Sequence, residues 1–243
     1  MCGRLVGVKS KAELDDRLRQ FQDPAYWAEV QRVLKSLKWT ANYNTTPTQQ
    51  SAIIRQIQSK DGEAFRDIEF AAWGFTTYDG KPGFNATVEK APTTSLYSKA
   101  LRERRVLIPT QGWYEWKGPK GKGVPQFIHQ ETVDGELPVF FFAGMWRSYK
   151  DETDQFTILT DEARGHMTEV HHRQPIIIPG ALAKDWLDTN VEDYPSILEL
   201  LSEASHSTPE GIVWHEVGRE VGSNKATGSQ LIEPFDSDST RLF

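Results

Sequence analysis

Residues 105–146 read RVLIPTQGWYEWKGPKGKGVPQFIHQETVDGELPVFFFAGMW. Runs rich in β-branched and aromatic residues alternate here with turn-forming glycines and prolines, a pattern typical of consecutive strands. The predicted strands are Arg105–Pro109, Trp113–Lys117, Val124–Gln130 and Pro138–Trp146. The glycine- and lysine-rich segment Gly118–Gly123 would form the turn between the second and third strands. Strands joined by such short turns favour antiparallel pairing.

Shorter patterns on both sides of this stretch add more strands and a few helices. Strands are predicted at Arg4–Val8, Ser51–Ile57, Phe65–Phe75, Gln155–Thr160, Ile212–Val217 and Gln230–Glu233. Helices are predicted from the capping box Ser10–Glu13, from Asp23-Pro24 to Leu37, and at Thr93–Arg104, Ala181–Leu187 and Tyr194–Ala204. With no repeat and no linker, we predict a single, mainly antiparallel α+β domain at residues 2–234 and a polar tail at 235–243.

The composition is that of a globular protein and excludes several kinds of site. Hydrophobic residues make up 38% of the 243 residues, and eight Trp with twelve Phe can fill a large core. The single cysteine excludes an internal disulfide and a zinc site built from several cysteines, and we expect no cofactor. Because no leader-like or membrane-spanning apolar run occurs, we expect a cytoplasmic protein without membrane contact. A net charge of −6 argues against bulk affinity for nucleic acid but allows a local basic groove.

The only cysteine stands at the second position, in Met1-Cys2-Gly3-Arg4. Removal of Met1 would leave Cys2 with a free α-amine and a thiol on adjacent carbons. With pKa values of about 8 and about 8.5, both groups are partly nucleophilic near neutral pH. The amine can form an imine with a carbonyl, after which the thiol can close a thiazolidine ring; alternatively, the thiolate can attack with the amine as its base. A small residue without a chemical role at a frayed terminus is the competing interpretation.

Three further side chains are candidates for proton transfer or for orienting a substrate. Glu115 stands among aromatics in Trp113-Tyr114-Glu115-Trp116, where apolar surroundings would raise its pKa and make it a proton donor. An exposed carboxylate on an edge strand is the alternative. His171 and Asn85 are also compatible with structural roles, as a hydrogen-bonding strand-edge histidine and as a turn residue. The adjacent pair His171-His172, without a partner cysteine or a suitably spaced carboxylate, makes a poor metal site.

Seven short motifs occur in one order along the chain, and together they resemble the SOS response-associated peptidase (SRAP) family. They are Met1-Cys2-Gly3-Arg4, Tyr43-Asn44-Thr45-Thr46-Pro47, Trp73-Gly74-Phe75, Asn85-Ala86-Thr87-Val88-Glu89, Gly112-Trp113-Tyr114-Glu115-Trp116, His171-His172-Arg173-Gln174-Pro175 and Gln230-Leu231-Ile232-Glu233-Pro234. The resemblance runs from Cys2 to about Pro234, nearly the whole chain. It implies a barrel-like core and the activity of that family, which crosslinks itself to abasic sites in single-stranded DNA.

The resemblance also implies the roles of particular residues. The family's catalytic residues match Cys2, Asn85, Glu115 and His171. Cys2 would form the thiazolidine with the aldehyde of the open abasic sugar, Glu115 would supply the proton for water loss, and His171 would assist opening of the sugar, while Asn85 would orient the reactants. The family name further implies a peptidase step that removes Met1. We predict that these four side chains converge on one cleft of a monomer, which is nucleoid-associated when bound to DNA.

The DNA contacts implied by the resemblance match the family only in part. They come from Arg4, Asn44, Trp73, Trp116, Thr160 and Arg173. Thr87 and Ser95, however, stand where phosphate-binding arginines are common. The loop after Trp73-Gly74 is short and lacks the Trp residues expected for base stacking. The loss of two phosphate contacts predicts weak binding to undamaged strands with a shallow salt dependence.

Two other functions are compatible with the same residues. An N-terminal-nucleophile amidohydrolase, such as a glutaminase, also begins Met-Cys-Gly, but it needs an oxyanion hole and an amide pocket. Such enzymes usually carry a second domain that uses the ammonia, and 243 residues leave no room for one. A non-covalent binding module would keep the fold and read single strands by stacking alone.

Overall fold

The computed structural model describes residues 3–20, 31–58, 64–119, 121–149, 153–188, 190, 193–208 and 210–236. Cys2 lies outside these ranges, as do residues 59–63 between two predicted strands, most of the helix predicted from Asp23 and the tail beyond Asp236. In the described part, helices and mainly antiparallel sheets pack around a shared core, which confirms the predicted α+β class.

Most of the strands in the described part form two sheets. A four-stranded sheet has the order β1-β8-β9-β13, with β1 (Leu5–Val6), β8 (Gly112–Lys117), β9 (Val124–Gln130) and β13 (Ile212–Glu216). A seven-stranded sheet contains β2 (Gln50–Gln58), β3 (Ala64–Trp73), β6 (Asn85–Thr87), β7 (Arg105–Thr110), β10 (Phe140–Arg147), β11 (Gln155–Glu162) and β12 (Arg173–Pro175). The remaining pair, β4 (Phe75–Thr76) and β5 (Pro82–Gly83), forms a separate hairpin.

The larger sheet closes on itself. Its order β10-β7-β2-β3-β11 is completed by direct pairing of β10 with β11, from Gly144↔Ile158 to Arg147↔Gln155. This ring of strands confirms the barrel-like core. Beyond the ring, β11 pairs in parallel with β6 and antiparallel with β12, and both short strands meet it at Thr160. Each flanks one edge of β11, so β11 places the segments that carry Asn85 and Arg173 on its two sides.

The two sheets face each other across an apolar layer, termed here the inter-sheet core. The smaller sheet contributes Leu5, Trp113 and Ile128, and the larger sheet contributes Trp73, Phe142 and Ile158. The indole of Trp113 meets the ring of Phe142 edge-on, with centroids 5.4 Å apart. Edge-to-face aromatic pairs contribute about 0.5–1.5 kcal/mol beyond their buried area. This layer fixes the position of β8 relative to β6 and β11.

The helices cover the other face of the larger sheet. They are α1 (Lys11–Arg19), α2 (Ser98–Glu103), α3 (Ala183–Leu187) and α4 (Tyr194–Ser207), together with helical residues 31–36. Ser10 caps α1 as predicted, because its Oγ accepts a hydrogen bond from the N–H of Glu13 at 3.2 Å. None of the helices in the described ranges is long and apolar enough to cross a membrane.

Two predicted elements are corrected. The helix predicted at Thr93–Arg104 is helical only over Ser98–Glu103, because hydroxyl residues and turn hydrogen bonds occupy the stretch before it. The strand predicted at Gln230–Glu233 is a 3-10 helix over Ser229–Ile232. It follows Gly228, whose φ of 103° favours glycine and turns the chain, and the N–H of Leu231 closes onto the Gly228 carbonyl.

Candidate functional site

Strand β8 carries Glu115 into the layer between the two sheets. Side chains alternate along a strand, so Glu115 shares a face with Trp113, a residue of the inter-sheet core. Glu115 is only 4% exposed, and this burial raises the pKa of its carboxyl to about 7. A large fraction of the carboxyl is therefore protonated at neutral pH, as a general acid requires. Because β8 lies between β1 and β9, the alternative of an exposed edge-strand carboxylate is wrong.

The first strand directs the N-terminus along β8. Leu5 pairs with Trp113 in antiparallel register. Each residue before Leu5 therefore advances toward the Glu115 end of β8, and the same register sets Gly3 opposite Glu115. Cys2 lies outside the described residues, and its place beside Glu115 stays a prediction.

Asn85 faces the inter-sheet core from the larger sheet. It pairs in parallel with Ile158, so the two side chains lie on one face, and Ile158 belongs to the inter-sheet core. The indole N–H of Trp73 donates to the carbonyl of Phe84 at 2.8 Å and fixes the backbone directly before Asn85. Asn85 is thus a strand residue rather than a turn residue. It and Glu115 approach the same layer from opposite sheets.

His171 follows a 3-10 helix, Gly165–Glu169, that is anchored between the sheets. Met167 and Val170 from this segment belong to the inter-sheet core. Nδ1 of His171 lies 3.0 Å from the backbone nitrogen of Arg173, and its ring stacks on that of His172 with centroids 4.2 Å apart. Burial lowers the pKa of His171 to about 4, and His172 adds to this effect, so the ring is neutral at pH 7.

Two contacts tie the same segment to the smaller sheet. The ring of His166 stacks on Trp214 of β13, with centroids 5.2 Å apart and planes 18° from parallel. Lys117, at the end of β8, lies 3.7 Å from the carboxylate of Glu169. The elements bearing Glu115, Asn85 and His171 are therefore joined to one another around the inter-sheet core. Convergence of all four predicted catalytic side chains on one cleft includes Cys2 and stays a prediction.

Three of the expected DNA contacts are buried in this structure, and a role in DNA binding stays a prediction for them. Trp73 is fully buried and stacks on Phe156, so its ring offers no face to a base. Asn44 is buried, and its amide donates to the carbonyls of Ser223 and Ala226. Thr160 is fully buried on β11, within the layer rather than on the surface. The sequence motifs identify these residues but do not show that their side chains are buried.

The other three expected contacts lie nearer the surface. Nη1 of Arg4 donates to Oδ1 of Asn44 at 2.8 Å, and its guanidinium lies 5.8 Å from the ring centre of Trp116, which is half-buried. Arg173 directs both ends of its guanidinium to the carboxylate of Glu89, with the shorter contact at 2.7 Å. Arg4 and Trp116 thus form a cationic and aromatic pair beside the N-terminal strand.

Sequence reasoning gave no role to two residues that the structure makes prominent. Glu89 stands 84 positions before the arginine it binds, and no spacing rule links residues so far apart. Tyr78, at the tip of the β4–β5 hairpin, is fully exposed and supplies an aromatic face in the loop that lacks the expected Trp residues. Its neighbours Asp79-Gly80 are a turn signal that predicts exposure.

Within the described ranges, no cluster of three or more His, Cys, Asp or Glu could hold a metal ion.

Comparison with known proteins gives matches along most of the chain. The model of the family described as "SOS response associated peptidase (SRAP)" matches residues 1–224. The abasic site processing protein YedK of Escherichia coli is 29% identical over 202 residues, covering 79% of this chain and 84% of YedK. The abasic site processing protein YoqW of Bacillus subtilis is 27% identical over 245 residues, covering 96% of this chain and 99% of YoqW.

Solved structures share the fold. A phage-related protein from Bordetella bronchiseptica superposes with a TM-score of 0.69 at 24% identity, covering 93% of this chain and 99% of that one. A protein from Bacteroides thetaiotaomicron superposes with a TM-score of 0.68 at 16% identity, covering 97% and 100%. Both chains are covered almost end to end, so the arrangement of sheets described above is shared as a single unit.

Proposed function

Because this chain belongs to the SOS response associated peptidase family, we propose that it joins its N-terminal Cys2 covalently to the aldehyde of an abasic site in single-stranded DNA. Relatives named abasic site processing proteins support the substrate class. The observation that carries the proposal is the register of β1 on β8, which runs the chain toward Glu115, a buried carboxyl whose pKa is raised to about 7. An aminothiol and a general acid are what thiazolidine formation requires.

The reaction begins after Met1 has been removed. The α-amine of Cys2 adds to the aldehyde carbon of the ring-opened sugar and gives a carbinolamine. Glu115 donates a proton to the hydroxyl of that carbinolamine, which leaves as water and yields an imine. Sγ of Cys2 then adds to the imine carbon, its proton passes to the nitrogen, and the five-membered thiazolidine closes. Aldehyde and aminothiol thus give a thiazolidine and one water, with no cofactor.

Glu115 suits this step because it can be neutral at the pH where the amine is partly free. Only the protonated carboxyl can donate to the leaving hydroxyl, and a carboxyl at its ordinary pKa of 4.5 would be almost fully ionised at pH 7. The neutral His171 adds a second group for proton transfer during sugar opening, and the amide of Asn85 orients the sugar.

The product explains why a covalent bond would protect the lesion. An imine acidifies the neighbouring C–H of the sugar, and loss of that proton leads to β-elimination and strand cleavage. Closure of the thiazolidine removes the C=N bond, so the strand stays intact. We further propose that the strand passes beside Arg4 and Trp116, where a guanidinium and an aromatic ring lie together.

The experiment compares three forms of the full chain with an abasic single-stranded oligonucleotide, after mass analysis has established whether Met1 is present. The chain that begins at Cys2 should give a heat-stable adduct whose mass is the sum of the masses of protein and oligonucleotide less one water. Cys2→Ala should give none. Cys2→Ser should give at most a labile and slowly formed linkage, because a hydroxyl closes the ring poorly.

The other functions predict different results in the same assay. A non-covalent binding module would shift the oligonucleotide in a native gel without an adduct after heating. An amidohydrolase would release ammonia from glutamine and leave the oligonucleotide unmodified. Undiminished heat-stable adduct with Cys2→Ala would show that another nucleophile carries the reaction.

A further inference from the structure

We propose that Glu89 is a positioning residue, which holds Arg173 in place and thereby fixes the ring of His171. This positioning would serve a proton-transfer role for His171, and that role rests on the proposed function. The contacts between Glu89, Arg173 and His171 are independent of it. Glu89 follows β6, the strand of Asn85, and Arg173 opens β12. Each of these strands pairs with β11, on opposite edges. A side-chain link between Glu89 and Arg173 therefore joins two parts of the site that backbone pairing reaches only through β11.

The link is a two-point ion pair. Nη1 of Arg173 lies 2.7 Å from Oε1 of Glu89, and Nη2 lies 3.1 Å from Oε2, the parallel geometry that suits a guanidinium and a carboxylate. The side chain of Arg173 is 12% exposed and that of Glu89 is 50% exposed, so the arginine is held largely away from water. The hydrogen bonds from Arg173 lower the pKa of Glu89 to about 2, and the carboxylate is therefore charged at neutral pH.

The same arginine holds His171 through its main chain. Nδ1 of His171 lies 3.0 Å from the backbone nitrogen of Arg173 and 3.1 Å from its carbonyl oxygen. The amide proton of Arg173 favours Nδ1 as the acceptor and the neutral ring with its own proton on Nε2, whereas a proton on Nδ1 would point to the Arg173 carbonyl instead. The balance between the two tautomers of His171 therefore depends on the position of the Arg173 backbone.

Both strands are tied to one atom of β11, the carbonyl oxygen of Thr160. This oxygen accepts a hydrogen bond from Nη2 of Arg173 at 2.8 Å and another from the N–H of Val88 at 3.0 Å. Glu89, next to Val88, closes the loop by binding Arg173. The four residues form a closed set of contacts, in which removal of the Glu89 carboxylate releases the arginine from the β6 side.

Loss of the carboxylate should loosen the ring of His171 without unfolding the sheet. Arg173 would keep its bond to Thr160 but lose the two contacts that fix its direction. The backbone N–H would then hold Nδ1 less firmly, and the ring would populate both tautomers. Displacement of a reacting group by about 1 Å can slow an enzyme about 100-fold, so a loss of adduct rate on the order of 10- to 100-fold is expected.

The test compares Glu89→Gln with the control Glu162→Gln in the full chain. Glu162 is exposed and stands directly opposite Arg173 in the β11–β12 pairing, so its substitution removes a carboxylate close to the same arginine. The first readout is the ¹⁵N NMR signal of the His171 ring at neutral pH, which distinguishes the two tautomers without DNA. The second is the rate of adduct formation at saturating abasic oligonucleotide. Glu89→Asp, which keeps the charge, should restore part of the ring signal and part of the rate of adduct formation.

We expect Glu89→Gln to mix the tautomers and slow adduct formation, while Glu162→Gln leaves both unchanged. If Glu89→Gln changes the ring signal while the unsubstituted protein forms no adduct, the positioning is upheld and the proposed function is refuted. An unchanged ring signal with Glu89→Gln would overturn the positioning. If that variant also bound undamaged single strands more tightly, Glu89 would instead be a competitor of DNA phosphate for Arg173.

Discussion

Replacing Glu115 by glutamine is expected to raise the free energy of unfolding, by an amount that increases with pH. Glutamine has almost the shape of a protonated glutamate and cannot ionise. In the folded chain the Glu115 carboxyl is 4% exposed and its pKa is about 7, whereas its ordinary value is 4.5. The parent therefore carries a buried carboxyl that resists ionisation, and the variant removes that cost.

The size and sign of the effect follow from proton binding. Between pH 4.5 and about 7 the folded state holds a proton on Glu115 that the unfolded state releases. The stability that this protonated group contributes is fully present below pH 4.5 and is lost as the pH rises to about 7, at up to about 1.4 kcal/mol per pH unit. Over the whole interval the parent should lose about 3 kcal/mol relative to Glu115→Gln.

The assay is urea-induced unfolding of both proteins at pH 4.5, 5.5, 6.5, 7.5 and 8.5. The difference in free energy of unfolding should grow in favour of Glu115→Gln up to about pH 7 and then stay constant. Glu216→Gln is the matched control, because Glu216 lies exposed on β13 of the same sheet and solvent screens its charge. A difference between parent and Glu115→Gln that does not change with pH would refute the claim that burial holds this carboxyl protonated.

Three further predictions concern DNA affinity, the histidine and the packing of β8. Thr87→Arg combined with Ser95→Arg should steepen the salt dependence of binding to an undamaged single strand by about 1.4 in log–log slope, measured by fluorescence anisotropy; an unchanged slope would mean that other cations hold the backbone. The ring of His171, whose pKa burial lowers to about 4, should show no NMR titration between pH 5.5 and 8, and a midpoint near 6.5 would contradict its burial. Gly112→Ala should lower the free energy of unfolding by about 1–3 kcal/mol, because a Cβ there would lie 2.3 Å from the Phe127 ring. Gly222→Ala, where a Cβ meets no atom within 4 Å, should leave the melting temperature nearly unchanged.

Most of the fold class follows from local patterns. The runs around Trp113, Val124 and Phe140 alternate as strands do and are strands in the structure, and Ser10 caps α1 as its spacing to Glu13 predicts. Such signals depend on residues a few positions apart, whose geometry is set by the backbone itself. Prediction failed where local propensity was weak, at the turns before α2 and at the 3-10 helix that follows Gly228.

Burial was decided by tertiary packing. Arg105 follows Arg102 and Arg104 in the chain, and arginines are mostly exposed in folded proteins. It is nevertheless only 1% exposed and donates to the carbonyls of Leu101, Arg102 and Trp186. Trp73 belongs to a family motif, yet it holds the backbone before Asn85 from inside the core. Leu101 and Arg102 lie close to Arg105 in the chain, but the Trp186 carbonyl and the Phe156 ring that covers Trp73 come from distant segments, so neither burial can be read from chain neighbours alone.

For the site, the sequence by itself determined the chemical inventory: a cysteine at the second position, a carboxyl among aromatics, an amide and a histidine, in motifs that resemble one family. Tertiary structure alone decided the states of these groups. The pKa of Glu115 depends on the sheet that covers β8, and the ring of His171 is hydrogen-bonded to an arginine that Glu89 binds from 84 positions away. The physical reason is that protonation and tautomer respond to dielectric and hydrogen-bond partners in space, and the registers of the strands, rather than their order in the chain, bring those partners together.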